Sequence, residues 1–252
     1  MSIQQLDAAV ALGAAGGMTA GVRPAAPAAT GQVAAIRIPP LTGASKAIIA
    51  AMVKKTYCVF LPDQSGSMFG AFGDPTGVTA AAAESVLDLL HRSGGGSASV
   101  IPWGSDAPAR LAAGPLDIRK DLKRLSKALR NGENLGGNDL AAALRRAKLL
   151  TPALGPDRQV VYCVITDGIE DATPAIHAAV GDLAPGSVHM CLVDRNGGRT
   201  AAMDAAWATV PFGSSTTLDA FDITAMTSQL VDVIATTLGL TAPVITPGRS
   251  KK

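Results

Sequence analysis

Three short runs in this chain are almost entirely apolar: Thr56 to Leu61 (TYCVFL), Gln159 to Ile165 (QVVYCVI) and Val188 to Val193 (VHMCLV). Each has the length of a strand, is rich in β-branched and aromatic residues, and shows no polar alternation. A strand of that pattern has to be covered on both faces, as in a parallel sheet packed between helices. The intervening segments agree. Helices are expected at about Val78 to His91, 117–130, Leu140 to Leu150, Thr173 to Leu183 and Ile223 to Leu238. Further strands are expected at Ser97 to Trp103 and, more weakly, Ser215 to Leu218. Within 117–130, Ile118, Leu122, Leu125 and Leu129 recur on one helical face. Strand and helix alternate, so the fold class is α/β: a doubly wound, mostly parallel central sheet flanked by helices, Rossmann-like in plan.

The flanks read differently. Residues 1–50 are rich in Ala, Pro and Gly (GVRPAAPAATG, then IPPLTG) and are expected to form an N-terminal arm or linker, with a short helix at either end. Residues 51–240 are then the folded domain and 241–252 a C-terminal tail. The opening MSIQQLDAAVALGAAGG has no basic leading segment, and Asp7 interrupts it early, so the expected location is cytoplasmic. No stretch is long and apolar enough to span a bilayer. With 252 residues, of which 48% are hydrophobic, the chain can bury a full core. Its formal charge of +2 does not suggest nucleic acid or a membrane as partner. Cys58, Cys163 and Cys191 lie one in each apolar run, without zinc-site spacing, and are expected to be buried thiols.

In open α/β sheets, ligands bind beyond the carboxyl ends of the strands, where the strand order reverses. The loop after the first strand reads Asp63-Gln64-Ser65-Gly66-Ser67-Met68, and the loop after QVVYCVI reads Thr166-Asp167-Gly168. The loop before the 140–150 helix reads Gly136-Gly137-Asn138-Asp139-Leu140. Brought to one edge, they supply carboxylates, hydroxyls and an amide. Such a set suits a small hard cation, Mg²⁺ or alternatively Mn²⁺ or Ca²⁺, which takes oxygen ligands and tends to keep waters.

These three pieces, in this order and spacing, resemble the metal-ion-dependent adhesion site (MIDAS) of the von Willebrand factor A (vWA) domains, over about residues 55–240. The resemblance implies that Ser65 and Ser67 ligate the metal directly, and that Asp63 and Asp167 hold it largely through water. The last coordination position would go to an Asp or Glu of a protein partner. The family usually has Thr where this chain has Asn138. The Asn amide oxygen is a legitimate hard ligand that reaches one bond further, so it ligates in a shifted geometry or through water. Asp139 is the alternative ligand at that corner. By family analogy the chain is a stand-alone bacterial type, and an AAA+ ATPase or a stress-response complex is the expected partner class.

Other residues are expected to be ordinary. Gln64 is assigned to solvent and Met68 to packing. His91, His177 and His189 have no paired spacing. Glu170 and Asp171 are solvated acids or the rim of the site. The segment RKDLKRLSKALR, with Arg119, Lys120, Lys123, Arg124, Lys127 and Arg130, is a solvated helix face or a docking patch for an acidic partner. No nucleophile elbow, phosphate loop, dinucleotide fingerprint or zinc-protease motif is present, and no general base stands out near the loops. The expectation is therefore a binding module and not an enzyme. The alternatives are an assembly component with a vestigial metal site and a metal-dependent hydrolase.

Overall fold

The computed structural model describes residues 33–69, 73–74, 76–153, 155, 157–168, 172–194 and 199–246. The apolar runs form β1 (Thr56–Pro62), β4 (Gln159–Thr166) and β5 (Val188–Val193), joined by β2 (Ser97–Val100), β3 (Ala113–Asp117) and β6 (Ser214–Leu218). The six strands lie in the order β3-β2-β1-β4-β5-β6. All neighbours are parallel except β2 and β3, which run antiparallel. The strand order reverses between β1 and β4, so a crevice opens beyond their carboxyl ends.

The period of two along β1 divides the core. Cys58 and Phe60 face one layer, with Val161, Cys163 and Ile165 of β4. Tyr57, Val59 and Leu61 face the other, with Tyr162 and Val164. The first layer is closed by α1 (Lys46–Lys54), α2 (Val78–Ser93), α3 (Ile118–Arg130) and α7 (Ile223–Thr237). The second is closed by α4 (Leu140–Leu150), α5 (Pro174–Gly181) and α6 (Ala201–Trp207). Helix starts are set by short polar side chains that accept a backbone N–H of the first turn: Ser45, Asp117, Asp139, Thr173, Thr200 and Asp222. The three cysteines are free and buried in the first layer. Among the described residues no helix is long and apolar enough to cross a membrane.

The structure revises four local expectations. The packed body begins well before residue 51. Ile38 and Leu41 are buried, the Ile36 N–H donates to Ser85 Oγ at 2.9 Å, and α1 covers the core with Ile49 and Val53. The tail boundary also moves, because Thr241 pairs with Thr42 through backbone hydrogen bonds in both directions. Residues 1–32 of the expected arm and 247–252 of the expected tail lie outside the described residues. The strand expected over Ser97 to Trp103 ends at Val100, although Trp103 still bridges Asp63. Finally, β3 and α6 were not expected from sequence.

Candidate metal centre

The register that pairs Pro62 with Ile165 brings the next residues of β1 and β4, Asp63 and Thr166, side by side at the crevice. Asp63 is only 3% exposed. Both its carboxylate oxygens are oriented: Oδ1 accepts from the Ser65 N–H at 2.7 Å, and Oδ2 accepts from the Thr166 hydroxyl at 2.6 Å. Thr166 Oγ1 in turn accepts from the Gly168 N–H at 3.0 Å. A hydrogen-bond chain therefore links the first loop to the Asp167–Gly168 turn.

The third loop is sewn to the first by backbone. The Gly66 N–H donates to the Gly136 carbonyl at 2.5 Å, and the Leu135 N–H to the Gln64 carbonyl at 2.8 Å. Gln64 corrects its assignment to solvent. It is 5% exposed, its N–H donates to the Trp103 carbonyl at 2.6 Å, and its Oε1 accepts from the Glu133 N–H at 3.1 Å. Its amide serves loop architecture rather than hydration. Met68 is buried, as packing requires. Ser65 and Ser67, one residue apart around Gly66, bring their hydroxyls to 2.9 Å. A Cβ at Gly66 would lie 3.4 Å from the Gly136 carbonyl oxygen, in contact with the third loop.

Asn138 and Asp139 have different surroundings. Asp139 Oδ1 accepts from the Ala142 N–H at 2.8 Å, capping α4, and Oδ2 stands 4.0 Å from Arg145. The alternative ligand is thus engaged as a helix cap. The Asn138 Oδ1 atom is buried and has no hydrogen-bond donor. A carbonyl oxygen in that condition is costly unless something electropositive meets it. Asp167 follows Thr166 directly and is close enough to Asp63 to oppose its ionisation.

Sequence reasoning missed one residue of this edge entirely. Arg199, just before α6, has a side chain that is 4% exposed. Its Nη1 donates to the Gly168 carbonyl at 3.0 Å, and its Nε to Asp204 Oδ1 at 2.9 Å. Gly168 has φ +63, and a Cβ there would fall 2.5 Å from both Arg199 Nη1 and Leu192 Cδ2. A larger residue would hold a strained φ and displace both side-chain ends, and the guanidinium braces the turn that carries Asp167. Thr166 was quoted as part of its loop but not recognised as the partner of Asp63. Glu170 and Asp171 lie outside the described residues. His177 and His189 are occupied by Thr209 and Ser214.

The residues present fit a hard divalent ion. Burial pushes the Asp63 carboxyl up to about 6; its hydrogen bonds from Thr166 and Ser65 pull the other way, and Asp167 adds to the rise. Among the described residues no cationic side chain figures in that balance. Among the described residues no three His, Cys, Asp or Glu side chains gather there, so beyond the two aspartates the candidate donors described are hydroxyl and amide oxygens. An oxygen-only set with a buried anion and an unmatched carbonyl oxygen suits Mg²⁺ or a similar ion, not a soft metal.

No protein-family profile matches the sequence, and no curated protein matches it. Solved structures do resemble the fold. The pilus adhesin SpaC from Lactobacillus rhamnosus GG aligns with TM-score 0.58 at 14% identity, over 73% of this chain and 31% of the adhesin. The PilB minor pilin from Streptococcus sanguinis gives 0.56 at 12% identity, over 74% of this chain and 62% of the pilin. A von Willebrand factor type A protein from Catenulispora acidiphila gives 0.50 at 17% identity, over 73% of this chain and 42% of that one. The chain therefore spans less than two thirds of these proteins, and the likeness is one of fold: a vWA-like α/β fold.

Proposed function

We propose that this chain is a vWA-type protein-interaction module that binds one divalent cation at the edge of its sheet and presents it to an Asp or Glu of a protein partner. The observation that carries the reading is a buried, doubly oriented Asp63 carboxylate in a loop sewn by backbone bonds to the one that holds the buried, unmatched oxygen of Asn138. Ser65 and Ser67 would hold the ion directly. Asp63 and Asp167 would steady it, largely through water, and Asn138 would offer its amide oxygen. With the carboxylates one water removed, the inner shell stays near neutral, so the bound ion supplies Lewis acidity toward an incoming carboxylate. The occurrence of the fold in a pilus adhesin and a minor pilin supports an interaction role. The AAA+ ATPase suggested by the family resemblance would be one such partner. The site chemistry asks only for an accessible acidic side chain.

The test is capture of partner by immobilised protein from a lysate of its source, in Mg²⁺ and in chelator. Wild type should retain a partner in Mg²⁺ and release it in chelator, and Ser67→Ala should retain none. Asn138→Ala should weaken retention, whereas Asn138→Thr should enlarge the metal-dependent part. Retention that is indifferent to chelator and to Ser67→Ala would overturn the reading.

A further inference from the structure

The helix that leads into the third loop carries the most segregated charge in the chain. Along α3, Arg119, Lys120, Lys123, Arg124, Lys127 and Arg130 stand against Asp121 alone, in a chain whose whole formal charge is only +2. Its orientation is fixed, because Ile118, Leu125 and Leu129 are buried in the core and turn the opposite face outward. All six cations are exposed. Two are neutralised: Arg124 pairs with Asp121 at 3.2 Å, and Arg130 forms a two-pronged pair with Glu84 of α2. Arg119, Lys120, Lys123 and Lys127 meet no acid among the described residues. The stem of Arg119 lies against Gly95, at the foot of the helix. Lys123 and Lys127 are four residues apart, on one ridge, and Lys120 precedes a kink at Asp121.

The helix that carries this ridge leads into the third loop of the candidate metal centre. Arg130 closes α3, and residues 131–137 then run into the loop whose Glu133, Leu135 and Gly136 hydrogen-bond with Gln64 and Gly66. Gly132 sits beside Phe69 and Gln64. A chain that placed one carboxylate at the cation would therefore have the lysine-bearing helix one loop away. We propose that the exposed face of α3 is the second half of the partner-binding surface, and that it receives an acidic segment continuous with the carboxylate held at the metal. The inference rests on the metal-site reading for its location and on charge complementarity for its occupant. An acidic protein segment is favoured over a nucleic acid because no aromatic side chain lies in α3 to stack a base. It is favoured over a membrane because the outward face of α3 carries no apolar anchor.

The probe is a fluorescein-labelled decaglutamate peptide, titrated by anisotropy with the full chain in Mg²⁺ or chelator, at about 50 mM and about 300 mM salt. The variants are Lys123→Glu with Lys127→Glu on α3, and a charge-matched control, Lys46→Glu with Lys54→Glu on α1. All four positions are exposed, and circular dichroism checks folding. In Mg²⁺ the α3 pair should weaken peptide binding about tenfold, flatten its salt dependence and leave Mn²⁺ affinity within about twofold. The α1 pair should change peptide binding by less than about twofold. Equal loss in both pairs, or wild-type binding by the α3 pair, overturns the proposal. So does a duplex oligonucleotide or a phosphatidylserine vesicle that binds through Lys123 and Lys127 when the peptide does not. If the α3 pair weakens binding while chelator and Asp63→Ala change nothing, the metal reading fails and the lysine face stands.

Discussion

Asp63 is where the two demands on this site conflict. A free aspartate ionises near 3.8, and burial moves the Asp63 carboxyl up to about 6. Below about pH 4 the group is protonated whether the chain is folded or not, and stability is unaffected. Between about pH 4 and pH 6 the unfolded chain gives up its proton while the folded chain keeps it, so stability falls as pH rises. Above about pH 6 the full penalty applies, on the order of 3 kcal/mol. A cation beside the carboxylate would offset it. Asp63→Asn should therefore raise the melting temperature in chelator at pH 7.5 while abolishing the extra stability that Mg²⁺ gives the wild type. Equal melting of the two proteins in chelator would show that Asp63 is not a costly anion. The same proton competes with metal, so Mn²⁺ affinity of the wild type should drop about tenfold between pH 7 and pH 5. At this scale the sequence was informative where candidate residues are contiguous: Asp63, Ser65 and Ser67 share one loop, and their polar atoms come together in the fold. It misled at Gln64, because an amide in a polar loop looks solvated until the backbone groups that surround it are known.

At the scale of elements, the strands with unbroken apolar runs were legible because burial on both faces leaves no other pattern. The misses have local causes. β3 reads AGPLD, and its Gly and Pro suit an edge strand with a single partner, β2, more than a strand signal. α6 is only seven residues long. Residues 33–45 carry linker composition, yet Ile38 and Leu41 are buried in the core layer that α2 and α7 help to close. Arg199 could not be assigned to the site from sequence, because it lies 31 residues from Gly168 and reaches it only through the pairing of β4 with β5. Its role gives a prediction. Arg199→Met retains the apolar stem but strips the Gly168 carbonyl of its donor, so the Asp167 turn loosens. Mn²⁺ affinity should fall about fivefold to tenfold, while melting in chelator drops by an amount equivalent to about 1 kcal/mol. Arg199→Lys, which can still reach one acceptor, should recover part of the affinity. Unchanged Mn²⁺ binding in Arg199→Met would make the contact structural only.

For the whole molecule, two packed layers on a six-stranded sheet provide the core, and the metal is expected to add to stability without creating it. A ligand that binds only the folded state stabilises it by about 2.7 kcal/mol at a hundredfold excess over its Kd. Chelator should lower the melting temperature by several degrees and leave a cooperative transition with native helix content. Collapse of the fold in chelator would instead define a structural metal. The claim on which the account turns is that Asp63, Ser65, Ser67, Asn138 and Asp167 hold one divalent ion. Calorimetric titration with Mn²⁺ at pH 7.5, on wild type and Asp63→Ala, tests it most directly. One ion per wild-type chain and a loss of at least tenfold in affinity for Asp63→Ala are expected; no Mn²⁺ binding by the wild type, or the same affinity in both proteins, would contradict the assignment.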